Sequence, residues 1–142
     1  MSDWTDMPLA KAAIDFNAKR VPVKQSERVA GPFPYYGASG VVDHVDDYLF
    51  EGEYLLVAED GANLLTRNTP VAFMASGRFW VNNHAHILRG SDFARTRYLK
   101  YLIEAMDIAP YVTGSAQPKL SKQNLMAIPV TLPSISTQDQ VL

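Results

Sequence analysis

The sequence has no cysteine among its 142 residues, which excludes a disulfide framework, a cysteine-ligated zinc finger and a thiol nucleophile. It has no apolar run approaching the roughly 18 to 20 residues that a membrane-spanning helix needs. Its first residues lack the basic and apolar regions of a signal peptide. With 47% hydrophobic and 20% charged residues, the chain is predicted to form one soluble, cytoplasmic globular domain, and intrinsic disorder is not expected.

Neither sign of charge is in large excess, since the net charge is −2. The charges are nevertheless segregated along the chain. Residues 43–60 hold seven acidic residues and no lysine or arginine, whereas residues 61–122 hold eight basic residues and three acidic ones. Local clustering of charge decides whether a surface can face phosphates, and the total does not. The acidic pI of about 5.9 therefore leaves nucleic-acid binding open.

The distribution of apolar residues predicts an α+β fold whose first half is rich in strands. Period-two alternation and apolar runs between turn residues predict short strands at 12–17, 53–59, 71–76, 78–82 and 84–88. Glycines predict a turn at 35–40 that leads into a hairpin at 41–50, and a second turn at 60–63. Residues 18–34 contain three prolines and predict a long basic loop, a kind of segment that is often functional.

Apolar spacing near 3.6 residues predicts one amphipathic helix at 92–106, with Ser91 as its N-cap. The aromatic residues of this helix are predicted to pack in the core: Phe93, Tyr98 and Tyr101. The basic residues on and beside it could contact phosphates or form a solvated face: Arg89, Arg95, Arg97 and Lys100.

The last thirty residues carry weaker signals. A turn-rich loop is predicted at 111–121, a short helical turn at 121–126 and an extended segment at 128–133. Ser136 followed by Asp139 resembles a capping box, so another helix is predicted to begin there. Because the sequence stops shortly afterwards, we expect it to be a fragment of a longer protein.

Two groups of residues could hold a metal ion, and each has a plainer explanation. His84 and His86 would face one side of a strand, as two ligands could, and the third histidine, His44, lies in an acidic hairpin with Asp43, Asp46 and Asp47. Glu59 and Asp60 end a strand, where a nuclease could hold a divalent cation. The alternatives are histidines that hydrogen-bond within the fold and a turn whose polar side chains bond nearby backbone. The sequence contains no Walker-type phosphate loop and no serine nucleophile elbow.

Three long segments, at 34–64, 79–88 and 113–134, are distinctive: PYYGASGVVDHVDDYLFEGEYLLVAEDGANL, FWVNNHAHIL and TGSAQPKLSKQNLMAIPVTLPS. Together with the opening at Trp4 and KRVPV at 19–23, they resemble the target recognition domain of Type I restriction-modification specificity subunits. The resemblance covers nearly the whole chain. It implies a β-rich twisted sheet with a few helices over residues 1–133 and the start of a conserved spacer helix, truncated, over residues 134–142.

The resemblance implies a DNA-reading module with no catalysis of its own. Such a module works with a methyltransferase subunit and a restriction subunit, and S-adenosylmethionine is expected on the methyltransferase, so no cofactor is expected on this chain. In that family a specificity subunit usually has two such domains, each followed by a long helix that spaces two DNA half-sites. Because this sequence has one domain and the beginning of one helix, we expect it to read one half of a bipartite duplex target.

Candidate DNA contacts follow from the resemblance and from residue type. Motif residues shared by domains of different specificity cannot choose the bases, so scaffold or phosphate roles are expected for Tyr35, Tyr36, Gly37 and Ser39. Gln117 and Lys119 could contact an adenine edge and a phosphate or guanine, or they could belong to a structural turn. Asn63 is a further candidate. Base readout is expected from long polar side chains on loops and strand ends: Lys24, Gln25, Ser26, Arg28, Thr66, Arg67, Asn68 and Arg78.

The sequence therefore leads to one main hypothesis and two rivals. The main hypothesis is sequence-specific binding of duplex DNA. The first rival is a small metal-dependent nuclease that uses Glu59, Asp60 and the histidines. The second rival is a fragment that acts mainly by binding the methyltransferase subunit and has little affinity for DNA by itself.

Overall fold

The computed structural model of the chain describes residues 3–142. The strands over this range are β1 (Thr5–Pro8), β2 (Ala13–Asp15), β3 (Ala30–Gly37), β4 (Gly40–Val45), β5 (Phe50–Glu51), β6 (Tyr54–Ala58), β7 (Ala72–Ala75), β8 (Arg78–Val81), β9 (Ala85–Gly90) and β10 (Pro129–Leu132). The α-helices are α1 (Leu9–Ala12), α2 (Asn63–Thr66), α3 (Thr96–Ala105), α4 (Lys122–Ala127) and α5 (Ile135–Val141). Short 3-10 turns lie at 17–19, 25–27 and 109–111.

The strands form two four-stranded sheets and one two-stranded ribbon in this part of the chain. The first sheet has the order β2-β9-β6-β7 and is antiparallel throughout. The second has the order β4-β3-β8-β5, with β3 and β8 parallel. The ribbon pairs β1 with β10 and so ties the start of the described chain to its end. This mixed architecture confirms the predicted α+β class.

Strand β6 lies at the centre of the molecule because both of its faces are buried. Leu55 and Val57 point to a core that the helices cover, and Tyr54 and Leu56 point to an aromatic-rich core beside the second sheet. Side chains alternate between the two faces of a strand, so five consecutive buried residues require packing on both sides. The first sheet is therefore a layer between the helices and the second sheet.

The predicted strands at 53–59, 71–76, 78–82 and 84–88 are confirmed, with ends shifted by one or two residues. The strand predicted at 12–17 is confirmed as the shorter β2, because residues 9–12 form a helical turn and residues 17–19 form a 3-10 turn. The loop predicted at 18–34 ends at Val29, since β3 already begins at Ala30 and pairs with β4 as a hairpin. The hairpin therefore precedes the predicted position at 41–50.

The helix predicted at 92–106 begins later than expected. Gly90 and Thr96 lie close together, with the Gly90 N–H donating to Thr96 Oγ1 at 3.0 Å, and a Cβ on Gly90 would lie 1.8 Å from the Ala94 carbonyl oxygen. A tight turn therefore separates β9 from α3. Within this turn the Ser91 hydroxyl accepts from Phe93 N–H. Ser91 is therefore not the cap of α3.

The aromatic residues of this region differ in burial, which the helical spacing did not predict. Phe93 and Tyr101 are exposed, whereas Tyr98 packs against the helix-covered core. The core side chains of α3 are Leu99 and Ile103. The prediction that all three aromatic residues are buried is wrong for two of them: Phe93 precedes α3, and Tyr101 lies on the face of α3 opposite Leu99 and Ile103.

The final helix, α5, forms near the predicted position but with a different cap. The Ser134 hydroxyl accepts from Thr137 N–H at 3.2 Å, and Asp139 pairs with Arg95 at 2.8 Å. The predicted capping box of Ser136 and Asp139 is therefore wrong, and Asp139 instead links α5 to the start of α3. Among residues 3–142, no helix has the length and apolar character needed to cross a membrane.

Candidate nucleic-acid interface

A continuous hollow surface lies at the ends of strands β3, β6 and β8. It consists of three adjoining hollows: the first and second share Asn82 and His84, and the second and third share the turn at 60–62. We call this surface the concave face. The residues that line it include Lys24, Arg28, Ser39, Asp60, Gly61, Ala62, Asn63, Asn82, Asn83, His84, Gln117 and Lys119.

The concave face brings together most of the candidates for DNA contact, although they come from segments far apart in sequence. The candidates on it are Lys24, Arg28, Ser39, Asn63, Gln117 and Lys119. Asn63 also fixes its own loop, because its side chain donates to Thr69 O and accepts from Thr69 N–H.

Tyr36, Arg67 and Arg78 lie outside the concave face. The Tyr36 ring packs edge-on to Phe79 in the aromatic-rich core, and this burial raises the pKa of its hydroxyl. The Arg67 guanidinium donates to the carbonyls of Glu104 and Met106 at the end of α3. Arg78 is exposed and lies near Glu51 at 3.6 Å. These contacts favour packing and scaffold roles for Tyr36 and Arg67, while all three DNA-contact assignments stay predictions.

The loop that carries Gln117 and Lys119 is a closed turn fixed to the body of the protein. Thr113 and Lys119 exchange two backbone hydrogen bonds of 2.9 and 2.8 Å, and Gly114 adopts a φ of +81°, which glycine tolerates best. The Gly61 N–H donates to Pro118 O at 3.0 Å, so this turn is held against the turn at 60–63. The backbone is therefore scaffold, whereas the side chains of Gln117 and Lys119 are exposed.

The acidic residues on and beneath the concave face have basic partners. Glu59 pairs with Arg20 at 3.0 Å, and Asp60 Oδ2 lies 2.7 Å from His84 Nδ1. Asp43 accepts from its neighbour's backbone N–H and pairs with Arg28, and these contacts lower the pKa of its carboxyl. Within residues 3–142, Lys24 and Lys119 take part in no ion pair. Unpaired positive charge therefore lies at two ends of the face.

Arg20 is a structural centre of this region that residue type alone did not single out. Its guanidinium donates to Glu59 Oε1 and Ala85 O at 3.0 Å each, and its Nε donates to Asn17 O. It thereby joins the loop after residue 19 to the ends of β6 and β9. In the sequence, Arg20 was indicated only by its position in KRVPV, one of the segments that carry the family resemblance.

His86 is a core residue whose two ring nitrogens are both engaged. Its Nε2 donates to Leu120 O at 2.6 Å. Asn17 uses its Oδ1 to accept from Ile87 N–H, so its Nδ2 donates to His86 Nδ1 at 2.9 Å. A nitrogen that accepts carries no proton, so the imidazole is neutral. Burial lowers its pKa below the ordinary value of 6.5.

The residues proposed for a metal-dependent nuclease do not form a shared metal site. His86 is buried in β9, whereas His84 is exposed in the preceding turn and bonds Asp60. In the part of the chain that the structure describes, no group of three or more His, Asp or Glu side chains could hold a metal ion. No observation on these residues supports the nuclease hypothesis.

The basic residues around α3 are engaged with other side chains. Arg97 pairs with Glu53, Arg95 with Asp139, and Lys100 lies 4.1 Å from the centroid of the Tyr101 ring. Arg89 stacks over Tyr54 at 4.0 Å. This surface is therefore a network of internal pairs, and the phosphate contacts considered for it stay a prediction.

Acidification is expected to destabilise the fold through His86. Because its folded pKa is lowered, the unfolded chain binds the additional proton, and stability falls as the pH drops below about 6.5 towards the folded pKa. The loss approaches about 1.4 kcal/mol per pH unit within that window. Urea unfolding of the wild type and His86→Gln at several pH values measures it. His44→Gln, at an exposed histidine, is the control that keeps the wild-type slope; an equal slope in His86→Gln would contradict the assignment.

Comparison with known proteins identifies the family. The model for the Type I restriction modification DNA specificity domain matches residues 1–142. A Haemophilus influenzae protein named as a type I restriction enzyme specificity subunit, S.HindORF215P, is 39% identical over 135 residues, which are 95% of this chain and 34% of that protein. The chain therefore belongs to the family of Type I restriction-modification DNA specificity domains.

Two further comparisons agree with this family. The EcoprrI specificity subunit of Escherichia coli is 27% identical over 106 residues, or 75% of this chain and 25% of that protein. The crystal structure of the Type I restriction-modification S subunit from M. genitalium superposes with a TM-score of 0.77 at 12% identity, over 99% of this chain and 37% of that one. At this identity the likeness concerns the fold. The chain spans about a third or less of the curated relatives' length.

Proposed function

We propose that this domain reads one half of a bipartite duplex DNA target as part of a Type I specificity subunit. The observation that carries the proposal is the concave face, where exposed polar side chains lie between two lysines without ionic partners. Recognition of duplex DNA requires phosphate contacts that position the protein and polar groups that read base edges. Lys24 and Lys119 supply the first requirement, and the polar side chains between them supply the second.

The proposal gives the domain a positioning role and no reaction of its own. A methyltransferase subunit bound beside it would flip and methylate an adenine, with S-adenosylmethionine held on that subunit. A restriction subunit would join through the complex. Residues 1–133 would form the recognition domain, and residues 134–142 would begin the spacer helix. We expect the domain to act in the cytoplasm, because its substrate is cellular DNA.

Removal of the two unpaired lysines is expected to weaken DNA binding and its salt dependence. Each phosphate contact contributes about 0.9 to the slope of log affinity against log salt concentration, so Lys24→Ala with Lys119→Ala lowers the slope by about two. The affinity falls similarly for all duplex sequences, because lysine contacts to phosphate carry no base information. Fluorescence anisotropy on short duplexes at several salt concentrations measures both effects.

The matched control removes two lysines outside the concave face. Lys11 lies over the exposed Phe93 ring, and Lys122 on α4 lies 3.9 Å from Asp15, so Lys11→Ala with Lys122→Ala is expected to keep the wild-type slope. Equal slopes for the wild type and the Lys24/Lys119 variant would contradict the proposed face. Tight binding to a methyltransferase subunit with no salt-sensitive DNA affinity would favour the alternative in which the chain acts mainly through that subunit.

A further inference from the structure

The loop at residues 20–29 lies on the outer face of the second sheet and is held there by side chains of two paired strands. Tyr35 of β3 and Trp80 of β8 are neighbours in the parallel pairing. The Trp80 indole N–H donates to Val21 O at 2.6 Å, and the Tyr35 hydroxyl accepts from Val23 N–H at 3.0 Å. We call residues 20–29 the clamped loop.

Two arginines fix the ends of the clamped loop. Arg20 bonds Glu59 and the Ala85 carbonyl at its start. Arg28 stacks over the Tyr35 ring at 4.3 Å, and its Nε donates to Val23 O at 2.9 Å. Both guanidinium groups are therefore engaged in holding the loop against the rest of the domain.

The middle of the clamped loop carries exposed side chains that take no part in holding the loop. Lys24, Gln25 and Ser26 are exposed at a 3-10 turn closed by a 2.8 Å bond from Glu27 N–H to Lys24 O. The side chains of Gln25 and Ser26 make no hydrogen bond to any other residue of the range 3–142. A backbone held at several points that presents an unengaged amide meets the geometric need of base recognition, because the backbone is already ordered before binding.

The two other arginines considered for base readout differ in this respect. Arg67 is bonded to the end of α3, and Arg78 lies over the Tyr48 ring at 5.1 Å and near Glu51. Gln117 and Asn83 are exposed amides that line the concave face, but both lie outside the clamped loop. Gln25 is therefore the exposed amide of the clamped loop, and it follows Lys24, which lines the first hollow.

We infer that Gln25 is a specificity-determining residue, which reads an adenine edge in the major groove, and that Trp80 and Tyr35 position it. A glutamine amide can donate to adenine N7 and accept from adenine N6. The inference rests on the proposed DNA-reading function and assigns one base preference to one side chain. Ser26 and Lys24 flank the contact, and Lys24 is close enough in sequence to reach the adjoining phosphate.

Parallel selections from a random duplex pool test this inference. Gln25→Ala is expected to lose the preference for A·T at one position, by about tenfold in affinity, and to keep the rest of the motif. Gln25→Glu is expected to change that position towards cytosine, because a carboxylate accepts from cytosine N4. Gln123→Ala is the matched control, since Gln123 is exposed on α4 and lies outside the concave face.

A second variant tests whether Trp80 positions the clamped loop, and it leaves Gln25 unchanged. Trp80→Phe keeps an aromatic ring on β8 and removes the N–H that holds Val21 O. It is expected to weaken the base preference at the motif position assigned to Gln25. The salt dependence of DNA affinity is expected to stay that of the wild type. A lower affinity with an unchanged preference at that position would overturn the positioning role.

The outcomes separate this inference from the proposed function. Selection of one motif by the wild type and of the identical motif by both Gln25 variants would overturn the inference and leave the proposed function intact. Selection of no motif by the wild type would overturn both. A motif that changes at one position in both Gln25 variants, and remains unchanged in Gln123→Ala, is the expected result.

Discussion

Gln138→Glu is expected to lower the free energy of unfolding by about 3 to 5 kcal/mol, as when a buried charge is left without a partner. The Gln138 side chain is fully buried. Its Oε1 accepts from Arg95 N–H at 2.8 Å, and its Nε2 donates to Phe93 O and Pro133 O at 2.9 and 3.0 Å. A glutamate has no donor for the two carbonyls and would place a carboxylate beside them.

Urea unfolding compares this variant with Gln140→Glu, which makes the same change at an exposed site on α5. Gln140→Glu is expected to stay within about 0.5 kcal/mol of the wild type. Equal losses in the two variants would contradict the account. The functional consequence of Gln138 is geometric, because together with Arg95 and Asp139 it fixes the direction of α5 relative to the recognition body.

Arg67→Ala is expected to destabilise the fold by about 2 kcal/mol, a typical value for lost hydrogen bonds to a charged group. The Arg67 guanidinium bonds the Met106 and Glu104 carbonyls at 3.0 and 2.6 Å and the Glu104 carboxylate at 3.0 Å. Glu104 in turn accepts from the backbone N–H groups of Val71 and Ala72. The variant therefore loosens the junction between the end of α3 and the start of β7.

The same variant decides between scaffold and DNA contact for Arg67. A scaffold residue leaves the salt slope of DNA binding unchanged, whereas a lost phosphate contact lowers it by about one. Arg78→Ala is the stability control, since its pair with Glu51 is exposed and contributes less than about 1 kcal/mol. A reduced slope together with unchanged stability in Arg67→Ala would contradict the scaffold role and favour a DNA contact.

The strands could be predicted because their signal is local. The apolar run of β6 and the β-branched and aromatic residues of β8 identify strands within a few residues. Helix starts were less predictable: Ser134 and Ser136 are both suitable caps, and the choice between them depends on Gln138 packing under the Arg95 backbone. That contact joins residues 43 positions apart, which no local pattern encodes.

The candidate site was partly predictable for the same reason. Lys24 and Gln117 could be named because exposed loops carry long polar side chains between turn residues. The role of Arg67 could not be read from its type, since its partners on α3 are 37 to 39 positions away. Arg20 and Trp80 act through backbone carbonyls of distant segments, so composition and spacing give no sign of the clamp.

Selection from random duplex DNA by the wild-type chain tests the central claim most directly. The chain alone and the chain with a Type I methyltransferase subunit are compared at two salt concentrations in EDTA, which removes divalent metal. Salt weakens the phosphate contacts and leaves base preference readable. The account predicts enrichment of one short sequence at both salt concentrations. DNA retention without enrichment of any sequence, in both arms, would contradict it.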